Sequence, residues 1–230
     1  MTVAAVILAA TPASALAEAA GRSSVRRIAE LAWAGGALPV VVVAADPDGA
    51  VGSTLAGSEA VLVPPAPVEA GPVGQIVRGM RASVDLVAGT QAALIWPARL
   101  TWVGAETVTM LLQAHGLEPA SVLRPTWDGT PGWPVLVPLR HLDALAGLAR
   151  DLLPDDVIGD LVRAGAALRT LDLGDPGVVV DRDTPIEALP PYEGPPEPLR
   201  PPPDWGLSGA DLADDAPPEP VRRLDPDAPR

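Results

Sequence analysis

The sequence predicts a three-layer α/β sandwich on a mostly parallel sheet, followed by a Pro-rich C-terminal tail. Residues 3–10, 39–45 and 92–96 are unbroken apolar runs of strand length, the pattern of strands covered on both faces. Segments with helical apolar spacing alternate with these runs, as crossovers between parallel strands require. From Pro190 onward the chain turns Pro-rich and acidic, with little left to bury.

Each element has a local reason. The first run breaks at Thr11-Pro12, so the strand ends in a loop, and residues 14–20 are predicted as a short helical turn. Ser23 caps a helix over 23–33, apolar at 25, 28, 31 and 32 and stopped by Gly35-Gly36. Residues 39–45 follow as the second strand, giving a β-loop-α-β unit with a right-handed crossover. Asp46-Pro-Asp-Gly49 is turn chemistry, and residues 60–63 are a third strand closed by Pro64-Pro65. A helix runs from Gly71 through Met80, Val84 and Val87. The fourth strand, 92–96, ends at Pro97, and residues 104–115 form a helix stopped by Gly116. Residues 122–125 and 135–137 are predicted as strands joined across a Gly-rich hairpin at 127–132. Residues 139–153 and 156–167 are predicted as helices, and 168–173 and 177–180 as short strands. The domain then spans 1–189, and 190–230 is expected to be a disordered or surface-hugging tail with Trp205 and Leu207 as its anchoring spot.

Composition narrows the function classes. Hydrophobic residues make up 48% of 230, nearly all Ala, Val and Leu, so in the absence of Phe six Trp must supply the large core pieces. All 16 positive charges are Arg, and the formal charge of -13 argues against nucleic acid or an anionic membrane as partner. The absence of Cys rules out disulfides, thiolate metal sites and a Cys nucleophile, and fits a reducing cytoplasm. The first apolar run lacks a basic flank and is far shorter than the roughly 20 residues of a membrane span, so it reads as a buried strand.

Four words carry chemistry. Val6-Ile-Leu-Ala-Ala10 leads into a loop; Gly71-Pro72 with Gly74 and Ile76 forms a glycine element; Trp127-Asp-Gly-Thr-Pro-Gly-Trp-Pro134 is a turn; and Asp181-Arg-Asp-Thr-Pro185 closes the domain. In this order and spacing they resemble the motifs of the MobA-like nucleotidyltransferases, which include the enzymes that join GMP or CMP to molybdopterin. The resemblance implies a Rossmann-like nucleotidyltransferase sandwich, with Mg and an NTP, CTP or GTP, as its cofactors if active. It places nucleotide or anion binding at Ala10, Thr11, Ser14, Gly71 and Gly74, and the guanidinium of Arg99 could bind a phosphate or carboxylate directly. An acceptor-side turn falls at Trp127, Gly129, Gly132 and Trp133, and a metal at Asp181 and Asp183.

The chain departs from that pattern where phosphate and metal are held. The family's loop carries Gly, Ser and Arg with a Lys, and an Asp after the fourth strand holds magnesium. Here Thr11-Pro12-Ala13-Ser14-Ala15 fills the loop, Lys is absent, Arg99-Leu100-Thr101 replaces Asp-x-Pro, and Trp133 replaces a His. Pro12 removes a backbone donor, and Arg99 puts a cation in place of an anion. Two readings follow: a transferase working with substitute groups, or a pseudoenzyme that binds a nucleotide, a phosphorylated ligand or, through its tail, a protein partner. The electrostatics of Thr11, Pro12 and Arg99 favour the second.

Several residues also have plain structural readings. Asp183 before Pro185 fits a helix cap, Arg26 and Arg27 a solvated helix face, and Arg99 either an anion grip or a salt bridge to a nearby Asp. His115, at a helix C-terminus, favours an imidazolium against the dipole. Trp96, Trp102, Trp127 and Trp133 read as core bulk, with Trp127 and Trp133 alternatively a stacking surface for a base.

Overall fold

The apolar runs pair into one mixed, mostly parallel sheet. A computed structural model describes residues 2–194. In chain order its strands are β1 (Thr2–Leu8), β2 (Glu18–Ala19), β3 (Arg22–Ser23), β4 (Val40–Val43), β5 (Ala60–Val63), β6 (Thr90–Pro97), β7 (Val122–Trp127), β8 (Thr130–Pro131), β9 (Val135–Pro138) and β10 (Leu168–Asp172). The helices are α1 (Pro12–Leu16), α2 (Ser24–Ala34), α3 (Ala50–Leu55), α4 (Gly71–Leu86), α5 (Ala105–Leu117), α6 (Leu142–Ala146) and α7 (Pro154–Arg163). The main sheet runs β10-β7-β9-β6-β1-β4-β5, with β8 paired to β7. β1 lies parallel to both β4 and β6, whereas β9 is antiparallel to both of its neighbours. Val40 to Val43 are all buried, as a continuous apolar strand between two helical layers must be.

Helices α2 and α5 pack together on the sheet, and α4 packs with α6 and α7. Small residues permit the close approaches. A Cβ on Gly79 of α4 would lie 2.2 Å from Val6 Cγ1, and one on Gly35 would lie 2.4 Å from Val108 Cβ. Trp96 and Trp133 are buried in the core, Trp102 and Trp127 are partly covered, and Trp33 is exposed, so the core-bulk reading holds fully for the first pair. Among the described residues no helix is long and apolar enough to cross a membrane.

Structure and expectation part at identifiable places. The turn expected at Asp46–Gly49 forms, and it leads into a helix the sequence reading did not place, α3, whose Val51 and Gly52 amides donate to the Asp46 carboxylate, each at 2.9 Å. The helix expected over 139–153 is a 3₁₀ turn, Leu139–His141, and then α6, which stops at Gly147 as its amide turns back to the carbonyls of Asp143 and Ala144. The next helix starts at Pro154, whose fixed φ suits the first turn, and Gly165 at φ +100 follows its end. No strand forms over 177–180: Pro176–Val178 is a 3₁₀ turn, held by Asp175 Oδ1 accepting from the Gly177 amide at 2.8 Å. Asp183 caps no helix, since the turn after it is the 3₁₀ segment Ile186–Ala188 with Pro185 at its start. The expected hairpin is richer than drawn. Asp128 and Gly129, both at positive φ, turn β7 back into β8, and β9 then inserts between β6 and β7.

The glutamate amide of Glu193 donates to the Gly174 carbonyl at 2.8 Å, so the start of the Pro-rich segment lies against the domain. Residues 195–230, with Trp205, Leu207 and the partner-binding reading of the tail, lie outside the described residues.

Candidate functional site

In parallel sheets the ligand crevice lies at the carboxyl ends of the strands, and here that edge gathers the loops after β1, β4 and β6. The loop after β1 closes on itself. Thr11 Oγ1 accepts from the Ser14 amide at 3.1 Å, Ser14 Oγ accepts from the Thr11 amide at 3.1 Å, and the Ser14 hydroxyl donates to the Thr11 carbonyl at 2.8 Å. This reciprocal capping box starts α1. Pro12 has no N–H, so of the amides at 11–14 only that of Ala13 lacks an acceptor, and Ala10 stands exposed at the mouth. A phosphate-binding loop works by presenting several free amides. Here they are spent on the loop's own side chains.

The loop after β6 meets the closing segment. Arg99 Nη1 donates to Asp181 Oδ2 at 3.1 Å, which is the salt bridge that the sequence left open against an anion grip. The Arg182 amide donates to the Arg99 carbonyl at 2.8 Å, and Arg182 Nη1 donates to the Ser14 carbonyl at 3.1 Å. Three distant segments, at 14, 99 and 181–182, are thereby tied together. Sequence reasoning passed over Arg182 as the unassigned middle of Asp-x-Asp. The available signal was that it is the one cation between Arg169 and Arg200 in a chain without Lys.

Magnesium does not fit these donors. Asp181 gives one oxygen to Arg99 and the other to the Asp183 amide, while the Asp183 side chain is 90% exposed. Among the described residues no three His, Asp or Glu side chains gather. A divalent ion at Asp181 would have to share that carboxylate with the Arg99 guanidinium 3.1 Å away, a like charge beside it.

Beside this edge Arg27 leaves the solvated face expected of it. Its Nε donates to the Thr101 carbonyl at 2.9 Å, and its guanidinium lies 5.2 Å over the Trp102 ring. Burial, and then the nearby Arg22, lower its pKa. Arg26 pairs with Glu30 and donates to the Ala56 carbonyl at 2.7 Å, so it too is engaged. Thr101 Oγ1 and Trp102 Nε1 are buried without partners. Asp175, unnoticed in the sequence, is 3% exposed and caps α5 from 71 residues away: its Oδ2 accepts from the Gly104 amide at 2.9 Å and the Thr107 hydroxyl at 2.6 Å. Burial, followed by Asp175 and Glu106, raises the Tyr192 phenol above its usual range.

The remaining predicted residues have packing reasons for their identity. Gly71 at φ +61 has the Arg150 carbonyl 1.9 Å from where a Cβ would sit, and a Cβ on Gly74 would be 2.3 Å from Ala70 Cβ. Gln75 clamps the preceding loop by exchanging bonds with the Ala66 amide and carbonyl at 2.8 and 3.0 Å. The hairpin with Trp127 and Gly129 rises at the same end of the sheet, because β7 runs parallel to β6 across β9. Gly132 is buried against Val178, and the Trp133 amide donates to the Val178 carbonyl at 2.8 Å. Trp133 carries Arg124 over its ring at 5.6 Å and is 3% exposed, so no face is free to stack a base. An apolar-walled cleft of about 500 Å³ opens between the ends of β4 and β5, lined by Ala44, Asp46, Leu62 and Pro64. His115 is fully buried with neither ring nitrogen bonded, and burial lowers its pKa, so it is not the imidazolium expected at a helix end.

Comparison with known proteins identifies the scaffold. The sequence pattern of the MobA-like NTP transferase domain matches residues 5–169. No curated protein matches the chain. Solved structures share the fold. Rv0371c of Mycobacterium tuberculosis in complex with manganese is 17% identical, covering 75% of this chain and 88% of that one, with a TM-score of 0.58. 2-C-methyl-D-erythritol 4-phosphate cytidylyltransferase from Thermus thermophilus is 20% identical, covering 77% and 91%, at 0.56. CMP:2-keto-3-deoxy-manno-octonic acid synthetase complexed with CTP is 14% identical, covering 79% and 91%, at 0.56. With that match spanning the loop after β1, the Gly71–Gly74 element, β6 and the hairpin, the chain belongs to the MobA-like NTP transferase family.

Proposed function

We propose that this protein is a nucleotidyltransferase-like module, related to the enzymes of molybdenum cofactor nucleotidylation, that has given up Mg-NTP chemistry and binds a nucleotide or phosphorylated ligand, or a protein partner, without turning it over. The observation that carries this reading is the closed loop after β1, where the Thr11 and Ser14 amides are taken by each other's hydroxyls and Pro12 offers none. An NTP brings about four negative charges, and a family member that turns it over has to neutralise them and align the attacking oxygen. The Arg99–Asp181 ion pair adds to the argument, because it commits the acid that a metal would require.

A second reading, an active cytidylyl- or guanylyltransferase with substitute groups, draws on Arg99 and Arg182, two guanidinium groups at the carboxyl ends of β1 and β6. Thermal melting separates the two. A ligand at 100 times its Kd adds about 2.7 kcal/mol, which for a domain of this size raises Tm by about 5–10 °C. We expect no rise that requires magnesium with CTP, GTP, ATP or UTP, and a rise equal in EDTA and in millimolar Mg is nucleotide binding without turnover. A magnesium-dependent rise with any one of them refutes the proposal in favour of the second reading.

A further inference from the structure

We infer that the Arg99 guanidinium is a resident cation that does the work of a divalent metal, holding the closing segment around Asp181 and Arg182 to the ends of β1 and β6 as a metal-independent clasp. The inference deepens the reading above and rests on it for the location of the site, but its evidence is the clasp's own geometry. Asp181 belongs to a segment 82 residues from Arg99 and 167 or so from the loop after β1, and nothing in the local sequence requires the three to meet. They are joined by one ion pair and two hydrogen bonds. Asp181 Oδ2 accepts from Arg99 Nη1 at 3.1 Å, the Arg182 amide donates to the Arg99 carbonyl at 2.8 Å, and Arg182 Nη1 donates to the Ser14 carbonyl at 3.1 Å.

Charge counting shows why a metal would be superfluous. Arg99 neutralises Asp181, and the free lone pairs of that carboxylate are reduced further by the Asp183 amide at 3.2 Å. Arg182 adds a second positive charge beside them, partly offset by Asp183 at 3.8 Å. A hard divalent ion needs six or more oxygen ligands, several of them anionic. Inserting one here would find only two carboxylates, Asp181 paired with Arg99 and Asp183 paired loosely with Arg182. Arg suits the resident role because its guanidinium stays charged and reaches Asp181 through one contact, Nη1 to Oδ2 at 3.1 Å, while its backbone carbonyl accepts from the Arg182 amide.

The test is a titration of the full chain with manganese, read by the electron paramagnetic resonance signal of free Mn²⁺ and by melting temperature. The unaltered chain should leave the free signal undiminished beyond weak, unsaturable loss to its acidic surface. Its Tm should be the same in EDTA and in millimolar Mn²⁺. Arg99→Asp, which sets a second carboxylate opposite Asp181, should gain a saturable one-to-one site and a manganese-dependent rise in Tm, both abolished by adding Asp181→Asn. Saturable binding by the unaltered chain that Asp181→Asn removes overturns the inference, and so does a folded Arg99→Asp that binds no manganese. Should Arg99→Asp fail to fold, the comparison of the unaltered chain with Asp181→Asn decides alone. Arg99→Gln provides a further check: amide exchange at Arg182 and Asp183 should quicken, and manganese should not slow it. The nucleotide melts report separately. Manganese binding through Asp181 without a magnesium-dependent nucleotide response sinks the clasp and spares the proposed function, whereas a magnesium-dependent nucleotide response in a chain that binds no manganese through Asp181 does the reverse.

Discussion

Replacing Asp175 by Ala should be among the most damaging single changes outside the hydrophobic core. Its carboxylate is 3% exposed and accepts from three donors, the Gly104 amide, the Thr107 hydroxyl and the Gly177 amide, at 2.9, 2.6 and 2.8 Å. Gly104 is the N-cap of α5 and offers no side chain of its own, so Asp175 serves as a cap supplied from another part of the chain. Loss of a helix cap costs about 1 kcal/mol, and the helix dipole adds to the preference for an anion there. The other two donors would be buried without partners at about 1–3 kcal/mol each. The sum is about 3–7 kcal/mol, or a fall in Tm on the order of 10 °C at about 2–4 °C per kcal/mol. Urea unfolding followed by circular dichroism gives the free energy, provided the slope m stays constant. Asp175→Asn keeps one acceptor and should lie between Ala and the natural residue, and Thr107→Val should cost about 1 kcal/mol. The pair should couple in a double-mutant cycle, since they share one bond. A cost for Asp175→Ala below about 0.5 kcal/mol, the level of an ordinary surface change, would refute the capping argument.

Other consequences are simpler. His115→Leu should raise stability by about 1–3 kcal/mol, because two buried ring nitrogens without partners are replaced by apolar surface. Burial lowers the folded pKa of His115 below its unfolded value of about 6.5, so the folded form is fully favoured above that pH; stability should decline as pH falls from about 6.5 toward the folded pKa, by at most about 1.4 kcal/mol per pH unit. Unfolding at pH 7.5 and 5.5 should show this decline in the natural chain and a smaller one in His115→Leu. Gly79→Ala should destabilise by about 1–3 kcal/mol or more, because its Cβ would meet Val6 Cγ1 at 2.2 Å in a packed interface, and the restoring double variant Gly79→Ala with Val6→Ala should recover part of the loss in the same urea assay.

The order of strands and helices was legible because it is written in local periodicity: β1, β4 and β6 are continuous apolar runs, and Ser23 with Gly35 brackets α2 by capping chemistry that operates within one turn. The glycine words were legible as well, although the structure gives Gly71 and Gly132 the task of admitting the Arg150 carbonyl and the Val178 backbone. Apolar periodicity failed where a nearby side chain bonding to the backbone decided the outcome. The stretch at 177–180 was apolar enough for a strand, but the Asp175 side chain curls it into a 3₁₀ turn, and α3 forms because Asp46 reaches its first amides.

By itself, then, the sequence determined an α/β sandwich, the family and a chain without Lys, because each of these depends on residue type and short-range spacing. Only the tertiary structure decided which charges meet. Arg99 finds Asp181 across 82 residues, Arg182 finds Ser14 across 168, and Asp175 finds Thr107 across 68. Those partners are chosen by strand register and by the insertion of β9 between β6 and β7, and a pairing energy that exists only after the sheet has assembled leaves no periodic trace along the chain.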